Sequence, residues 1–405
     1  MTNNESHCSA DGFMLTCCNV CCSLLTVGLV GRKYHCTLFG ETANMKTVLK
    51  IRLSVLLTVL CLTNLVAGDV RHQIAIPDIL NYKTLKCDFH IHTVFSDGEV
   101  WPTVRVEEAW REGLDAIAIT DHIEYQPHKK DIPTNHGRSY EIALPLAKQR
   151  NILLVKGAEI TRDTPPGHFN AIFLTDIRPL DTNDFNDVFR AANKQGAFVS
   201  WNHPFWKPEA KGWLDVHTML YENKWLHGIE IVNGDTYWPE TYRWAIERNL
   251  TILGNSDIHD PIVIGQATSK DHRPITLVFA TDRSLDALKE ALVKGRTAIW
   301  FKNKLIGPKQ YLDAIFNESV RIVKPHYRQG DTVWFEIRNS SCLDLQLEDT
   351  RGSGALVVPA NAVIVVSYKA KVADDAESLK LSYRVSNFLI APKESLVVSV
   401  SIVLK

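Results

Sequence analysis

Short apolar runs alternate with amphipathic stretches through the middle of the chain. The runs are typical of strands buried on both faces, and they lie at residues 114–119, 152–155, 168–174, 197–200, 228–232 and 250–253. The stretches with helical spacing lie at residues 103–111, 139–150, 184–194, 239–248 and 285–294. Alternating strands and helices predict parallel βαβ units. About seven such units in this length predict an α/β fold, a distorted (β/α)7 TIM-like barrel, over residues 72–303.

The period of the pattern changes to two in the last part of the chain. Residues 332–337, 343–347, 379–385 and 395–403, together with a run that begins at residue 362, are short strands without helices between them. They predict a small C-terminal β-sandwich over residues 318–405, reached through a helical bridge at residues 302–325. This part contains no cluster of ionisable residues, so we expect a structural or docking role for it.

A basic segment and an apolar core precede the barrel. Residues 45–52 are basic, residues 53–66 form an apolar run without charge, and Ala67 and Gly68 are small residues suited to cleavage. This order is typical of a signal peptide, so we predict a secreted or periplasmic protein. The run is short for a membrane span, and none is expected in the mature protein, although an uncleaved anchor is the alternative. We expect Met45 to be the true start and residues 1–44 to be a non-native or unstructured extension.

Composition narrows these expectations. The 405 residues fit two folded units plus an extension. The formal net charge of -1 shows no basic footprint, so no stable nucleic-acid partner is predicted. Seven of the nine cysteines lie at or before Cys61, so the folded part has no disulfide framework.

Histidines and carboxylates gather where the predicted strands end. His90 and His92 alternate with apolar residues, so on a strand they share one face. Catalytic groups of a parallel barrel lie on the loops that follow the strands, and imidazole and carboxylate ligands suit Mn²⁺, Fe²⁺ or Zn²⁺. We therefore expect one metal site at these strand ends, where the candidate residues are His90, His92, Asp97, His122, Glu159, His168, His203, Asp257 and His259, with Asp121 beside His122.

This ordered set of motifs resembles the PHP (polymerase and histidinol phosphatase) family over residues 75–300. The resemblance implies a distorted barrel that binds two or three divalent ions and hydrolyses phosphoesters. It also implies the ligands of each ion. His90, His92, Glu159 and Asp257 would hold the first, Glu159 would bridge to a second completed by His168 and His203, and Asp97, His122 and His259 would hold a third.

The implied ligands predict the chemistry. Two ions about 3.5–4 Å apart can convert a bridging water to hydroxide and clamp both oxygens of an in-line displacement. Such hydrolysis needs no Ser or Cys nucleophile. Glu159 and Asp257 are the predicted catalytic carboxylates. Asp121 could orient His122 or transfer a proton, and Arg162 could clamp a phosphate, with a surface ion pair as the alternative.

Weaker signals concern the mouth of the site. The loop from residue 125 to residue 138 is basic and aromatic and fits an anionic substrate, although a plain solvated loop is the alternative. Further residues could line the mouth or, for the tryptophans, belong to the core; they are Asn202, Asn233, Trp206, Tyr237 and Trp238.

The leader, residues 97–105, the loop at residues 121–128 and the β domain together most resemble exported phosphodiesterases of the Sb-PDE type. We therefore predict a metal-dependent phosphodiesterase that acts on a small-molecule phosphoester. One alternative is a phosphomonoesterase of the histidinol-phosphatase-like type, acting on a sugar or nucleotide phosphate. The other is a non-catalytic exported protein in which the metals are structural.

Overall fold

The computed structural model describes residues 70–207, 212–262, 272–352, 354–369 and 377–404. The predicted signal segment at residues 45–68 and the extension at residues 1–44 lie outside these ranges. Contacts group residues Asp69–Lys405 into one unit. No helix in the described ranges has both the length and the apolar character that crossing a membrane requires.

The first part of this unit alternates strands with helices, as predicted. In chain order its elements are β1 (Lys83–Asp88), α1 (Pro102–Arg111), β2 (Ala116–Ile119), α2 (Arg138–Gln149), β3 (Leu153–Ile160), β4 (Phe169–Ile172), α3 (Phe185–Lys194), β5 (Phe198–Trp201), α4 (Asp215–Glu222), β6 (Gly228–Asn233), β7 (Thr236–Tyr237), α5 (Pro239–Arg248), β8 (Thr251–Asn255), β9 (Ile275–Ala280), α6 (Leu285–Val293) and β10 (Thr297–Phe301). The pattern of apolar runs did not predict α4, β7 or β9.

The sheet is mixed, with parallel strands on both sides of an antiparallel one. Strands β1, β2 and β3 pair in parallel, and so do β5, β6 and β8. Strand β4 is antiparallel to both β3 and β5, and β9 is antiparallel to β1. The link from β3 to β4 covers only residues 161–168. A parallel crossover needs a dozen or more residues, so this short link explains why β4 departs from the predicted βαβ pattern.

Threonine side chains join β8 to β9 and β10. The Thr276 hydroxyl donates to the Gly254 carbonyl and accepts from the Gly254 N–H, both at 2.9 Å, and the Thr297 hydroxyl donates to the Ile252 carbonyl at 2.9 Å. A Cβ at position 254 would lie 2.3 Å from Cγ2 of Ile299. Glycine is therefore required where β8 approaches β10.

Capping residues determine where helices α3 and α6 begin. The Asp184 carboxylate accepts from the Asp187 N–H at 2.8 Å before α3, and the Ser284 hydroxyl accepts from the Ala287 N–H at 3.1 Å before α6. Each bond satisfies an N–H that has no partner inside its helix. Helix α3 then buries Val188, Phe189 and Ala192 on one face, which packs the helix against the sheet.

The C-terminal part is a β domain. After β11 (Lys304–Ile306) and α7 (Lys309–Ser319) come β12 (Val320–Gln329), β13 (Thr332–Asn339), β14 (Leu345–Asp349), β15 (Ala355–Val358), β16 (Ala362–Lys369), β17 (Ser378–Ala391) and β18 (Glu394–Val403). Strands β12, β13 and β16 form one sheet, while β17 pairs with β11 and so continues the larger sheet. The predicted helical bridge at residues 302–325 is wrong in its extent, because only Lys309–Ser319 is helical.

Candidate metal centre

The chain segments that follow β1 and β8 hold each other in place at the edge of the sheet. The Asp257 N–H donates to the His90 carbonyl at 2.9 Å, and the His92 N–H donates to the Ile258 carbonyl at 3.1 Å. The side chain of Asp88 accepts from the backbone N–H groups of His90 and Ser256 at 3.3 and 3.1 Å. These bonds fix the backbone of three predicted ligands.

The turn that carries Asp97 depends on Asp121. Oδ1 of Asp121 accepts from the Thr93 N–H at 2.7 Å, and from the hydroxyls of Thr93 and Ser96 at 2.9 Å each. These hydrogen bonds of Asp121 go to the turn after β1, and its predicted role in orienting His122 or transferring a proton stays a prediction. Glycine is required at position 98, where a Cβ would lie 2.6 Å from the carbonyl carbon of His92.

Two predicted ligands adopt left-handed backbone conformations. His203 has φ of 29° and Asp257 has φ of 52°. Such conformations cost free energy in residues other than glycine and are over-represented at functional sites. The His203 N–H donates to Oε2 of Glu230 at 2.8 Å, which stabilises the first of them.

Glu159 lies at the centre of the predicted ligands and is fully buried. Its Oε1 lies 3.4 Å from Nε2 of His90, 3.2 Å from Nδ1 of His168 and 3.5 Å from Nε2 of His203. Its Oε2 lies 3.5 Å from Nε2 of His92 and 2.7 Å from Nδ1 of His122. The two oxygens of one carboxylate thus face two different sets of imidazoles.

Two further carboxylates complete the cluster. Oδ1 of Asp257 lies 3.1 Å from Nε2 of His90 and 3.0 Å from Nε2 of His92. The Asp97 carboxylate lies 3.4 Å from Nε2 of His122 and 3.2 Å from Nε2 of His259. All nine residues predicted as ligands therefore meet, in four overlapping groups: His90, His92 and Asp257; His90, Glu159 and His203; His122, Glu159 and His168; and His92, Asp97, His122 and His259.

The spacing of these nitrogen and oxygen atoms suits coordination of divalent ions better than hydrogen bonds among the side chains. Ligand atoms about 2.0–2.2 Å from one ion stand roughly 3–3.6 Å apart, and all but one of the distances given above, which run from 2.7 to 3.5 Å, lie in this range. Five of these atoms are buried and make no hydrogen bond of acceptable geometry, although other atoms of the cluster lie close to them: Nε2 of His90 and of His92, Oδ1 of Asp97, Oε2 of Glu159 and Oδ1 of Asp257. Orphaned buried polar atoms are costly, and several that converge in one place indicate a site that can bind cations. That each residue binds an ion stays a prediction.

The charges of the cluster shift its pKa values strongly. Burial would raise the pKa of Glu159, but His122 and His90 hold it well below its usual range. Burial would lower the pKa of His122, yet Glu159 and Asp97 raise it to about 10. Burial lowers the pKa of His92. Because ligand imidazoles are neutral, an ion that binds here must displace protons, and affinity for divalent ions rises with pH.

Sequence reasoning missed Glu230, which lies behind the cluster. This fully buried carboxylate accepts from Nδ1 of His90 at 2.8 Å, and from the side-chain amides of Asn233 and Asn255 at 2.9 Å each. It thereby fixes the ring orientation of His90 and leaves Nε2 to face Glu159 and Asp257. The signal was present, because Glu230 interrupts the apolar run of β6.

Sequence reasoning also missed the role of Arg105. Its fully buried guanidinium donates to the carbonyls of His92, Ile258, His259 and Asp260 and to the Glu108 carboxylate. All five N–H groups have acceptors, and four of these belong to the segments that carry predicted ligands. Arg105 therefore joins the segments that follow β1 and β8.

Other predicted site residues have structural partners. Arg162 forms an ion pair with Glu124 and donates to the Thr182 carbonyl at 2.8 Å, which is the ion-pair alternative to a phosphate clamp. Asn202 is buried and donates to Oε1 of Glu159 at 2.9 Å. Asn233 donates to Oδ2 of Asp257 at 3.3 Å as well as to Glu230. A phosphate-binding role for Arg162 stays a prediction.

Comparison with known proteins gives matches in both parts of the described chain. Residues 320–401 match a family of Ig-like domains. A solved structure from Bacteroides vulgatus is described as a two-domain protein containing a predicted PHP-like metal-dependent phosphoesterase. It is 43% identical, with a TM-score of 0.78, and the similarity covers 83% of this chain and 100% of that chain.

A shorter similarity links the chain to an uncharacterized protein, MJ1295, of Methanocaldococcus jannaschii. It is 36% identical over 81 residues, which are 20% of this chain and 36% of that protein. The matched stretch thus spans only about a third of that relative. The resemblance to the PHP family is confirmed by the Bacteroides vulgatus relative, with which the similarity covers both parts of the described chain. The chain belongs to the family of two-domain proteins in which a PHP-like metal-dependent phosphoesterase fold is followed by an Ig-like β domain.

Proposed function

We propose that this protein is an exported metal-dependent phosphoesterase that hydrolyses phosphodiesters at a centre of two or three divalent ions. The observation that carries the proposal is the convergence of nine imidazoles and carboxylates with five orphaned buried donor atoms. The Bacteroides vulgatus relative, which contains a predicted phosphoesterase of this kind, supports the same class of reaction.

Each carboxylate of the cluster has a separate proposed role. The ions, when bound, supply Lewis acidity toward phosphoryl oxygens and make an attacking water more acidic. The two-sided contacts of Glu159 support a bridging role between two ion positions. Asp257 would balance charge beside His90 and His92, and Asp97 would do so beside His122 and His259. The buried carboxylate of Glu230 would keep His90 correctly oriented.

The state of Arg162 bears on the choice between a diester and a monoester. A phosphodiester carries one negative charge, whereas a monoester carries nearly two at neutral pH. Arg162, the predicted phosphate clamp, already balances its charge against Glu124. The second charge of a monoester would therefore have to be balanced by the bound ions, and the proposed preference for a diester rests on the resemblance to exported phosphodiesterases.

The test compares two chromogenic esters on the purified, Mn²⁺-loaded protein. We expect a higher kcat/KM for bis(p-nitrophenyl) phosphate than for p-nitrophenyl phosphate. The reverse preference would identify a phosphomonoesterase. Failure to hydrolyse either ester with ions bound would contradict the proposal and favour a non-catalytic metal protein. Metal analysis of the protein as purified decides among Mn²⁺, Fe²⁺ and Zn²⁺.

A single substitution ties activity to this centre. Glu159→Gln keeps the size of the side chain but removes the charge between the two sets of imidazoles. Because metal catalysis contributes several kcal/mol, we expect hydrolysis of both esters to fall by roughly a thousandfold. Glu240→Gln on the exposed surface of α5 is the matched control. Undiminished turnover in the Glu159 variant would place the chemistry elsewhere.

Export is proposed from the segment at residues 45–68 and concerns the part of the chain outside the described residues. N-terminal sequencing of the mature protein tests it. We expect the mature chain to begin shortly after Gly68. A retained peptide from residues 1–60 would contradict export with cleavage.

A further inference from the structure

Two solvent-exposed aromatic side chains stand beside the metal centre. The ring of Tyr125 lies edge-on to His122, with centroids 5.8 Å apart, and 52% of the residue is exposed. The ring of Trp206 lies 5.5 Å from that of His168 and 5.6 Å from that of His203, and 56% of the residue is exposed. Large aromatic side chains left open beside a polar site are typical of ligand-binding surfaces.

The two aromatic residues flank the same part of the cluster. His122 and His168, which they contact, have ring centroids 5.6 Å apart and form one potential ion site with Glu159. Tyr125 belongs to the loop after β2, and Trp206 belongs to the loop after β5. A phosphoryl group bound at these ligands would therefore have two aromatic rings within reach, one on each loop.

The surroundings of Trp206 add a cation and a cleft. Nζ of Lys207 lies 4.8 Å from the centroid of the Trp206 ring, so a positive charge accompanies the aromatic surface. A small cleft is lined by Gly167, His168, His203 and Trp206, so the Trp206 ring borders the same surface as two predicted ligands. An anionic ligand with a flat substituent matches this combination of cation, aromatic ring and metal ligands.

We propose that Tyr125 and Trp206 form a subsite for a planar aromatic group on the phosphoester substrate. The inference rests on the proposed function, because it requires a phosphoryl group at the metal centre. Offset or edge contacts between rings stabilise an aromatic substituent beyond the burial of its area, whereas an alkyl group gains burial alone. An aryl group and a nucleobase share this chemistry.

The test measures binding of two non-hydrolysable probes to the Mn²⁺-loaded protein by calorimetry. Phenylphosphonate and methylphosphonate present the same head group with and without a ring. We expect phenylphosphonate to bind about three- to tenfold more tightly. Trp206→Ala and Tyr125→Ala should each bring this ratio closer to one, while Trp206→Phe should preserve most of it. Ratios near one in the unaltered protein for both this pair and the nucleotide pair described next, or ratios that neither alanine variant changes, would overturn the subsite.

A second probe pair and a matched control complete the design. Thymidine 5′-monophosphate compared with ribose 5-phosphate asks whether the ring can be a nucleobase, and either an aryl or a nucleobase preference supports the subsite. Tyr327→Ala removes a similarly exposed aromatic residue of the β domain, at 57% exposure, and should leave both ratios unchanged. Turnover of bis(p-nitrophenyl) phosphate is measured in parallel. Turnover without any aromatic preference refutes the subsite alone, whereas absent turnover refutes the proposed function.

Discussion

Arg105 offers the sharpest test of how the fold supports the candidate metal centre. The guanidinium is fully buried, and its Nε donates to the His92 carbonyl at 2.8 Å. Its two terminal nitrogens donate to the carbonyls of Asp260 at 2.9 Å and Ile258 at 3.2 Å, to the His259 carbonyl, and to Glu108. The perturbation we consider is Arg105→Lys, which keeps the charge and much of the aliphatic stem but loses the fork of donors.

The magnitude follows from counting donors. Lysine offers three N–H groups where arginine offers five, so at least two of the five bonds are lost. A hydrogen bond to a charged group contributes about 1.5–3 kcal/mol, which gives a loss of about 3–6 kcal/mol before any water enters. Part of this loss should appear as destabilisation of the fold. The rest should appear as weaker metal binding, because the segments that carry His92 and His259 are held less firmly. A tenfold loss of metal affinity corresponds to only about 1.4 kcal/mol.

Two assays separate the effects. Urea denaturation of the metal-free protein measures the change in folding free energy, and calorimetric titration with Mn²⁺ measures affinity and stoichiometry. Arg296→Lys is the matched control, because Arg296 is also buried and donates to the Phe279 carbonyl at 3.0 Å, but has no contact with the cluster in the described structure. We expect both variants to be destabilised and only Arg105→Lys to bind Mn²⁺ at least tenfold more weakly. Unchanged affinity and stoichiometry in Arg105→Lys would refute the reasoning.

Two further predictions concern groups behind the cluster. Glu230→Gln replaces one of the two oxygens that accept from Nδ1 of His90 and from the His203 N–H with an NH2 donor, so Mn²⁺ affinity should fall about 10–100-fold by titration. His217 is buried against Trp201, which lowers its pKa to about 4. Because the unfolded chain takes up this proton near pH 6.5, the stabilising contribution of neutral His217 is complete above pH 6.5 and is lost as the pH falls toward 4. Its full loss is about 3 kcal/mol, so urea denaturation across this range should show a smaller pH dependence in His217→Gln.

The same measurements provide the controls. Glu247→Gln on exposed α5 should leave Mn²⁺ affinity unaltered, and equal affinities in the Glu247 and Glu230 variants would contradict the orienting role. His128→Gln alters an exposed histidine and should preserve the wild-type pH dependence of stability. A stability difference between wild type and His217→Gln that stays constant from pH 7 to pH 5 would show that His217 is not the group responsible.

Much of the site could be predicted because it depends on short-range geometry. Alternation along an extended strand is enough to put His90 and His92 on one face. The apolar run that contains β2 is buried at every position of that strand, so Asp121 and His122 had to follow at a strand end. Each such inference needs only a few consecutive residues and the rule that parallel strands end at a common edge.

The supporting groups could not be predicted in the same way because their partners are distant in sequence. His90 and Glu230 are 140 positions apart, and the ion pair of Asp88 with Arg273 spans 185 positions. A charge within an apolar run indicates only that some partner exists. Which residue that partner is depends on the strand order and register, and no local pattern contains either.

His168 shows how one change of strand direction resolves an exception in the pattern. It opens an apolar run, whereas the other predicted ligands follow theirs. Strand β4 is antiparallel to its neighbours, with Ile160 paired to Phe169 and Phe169 paired to Trp201. The first residue of β4 therefore lies level with the last residues of β3 and β5. A ligand just before β4 reaches the same edge as Glu159 and His203, so the reversed strand keeps the ligand set together.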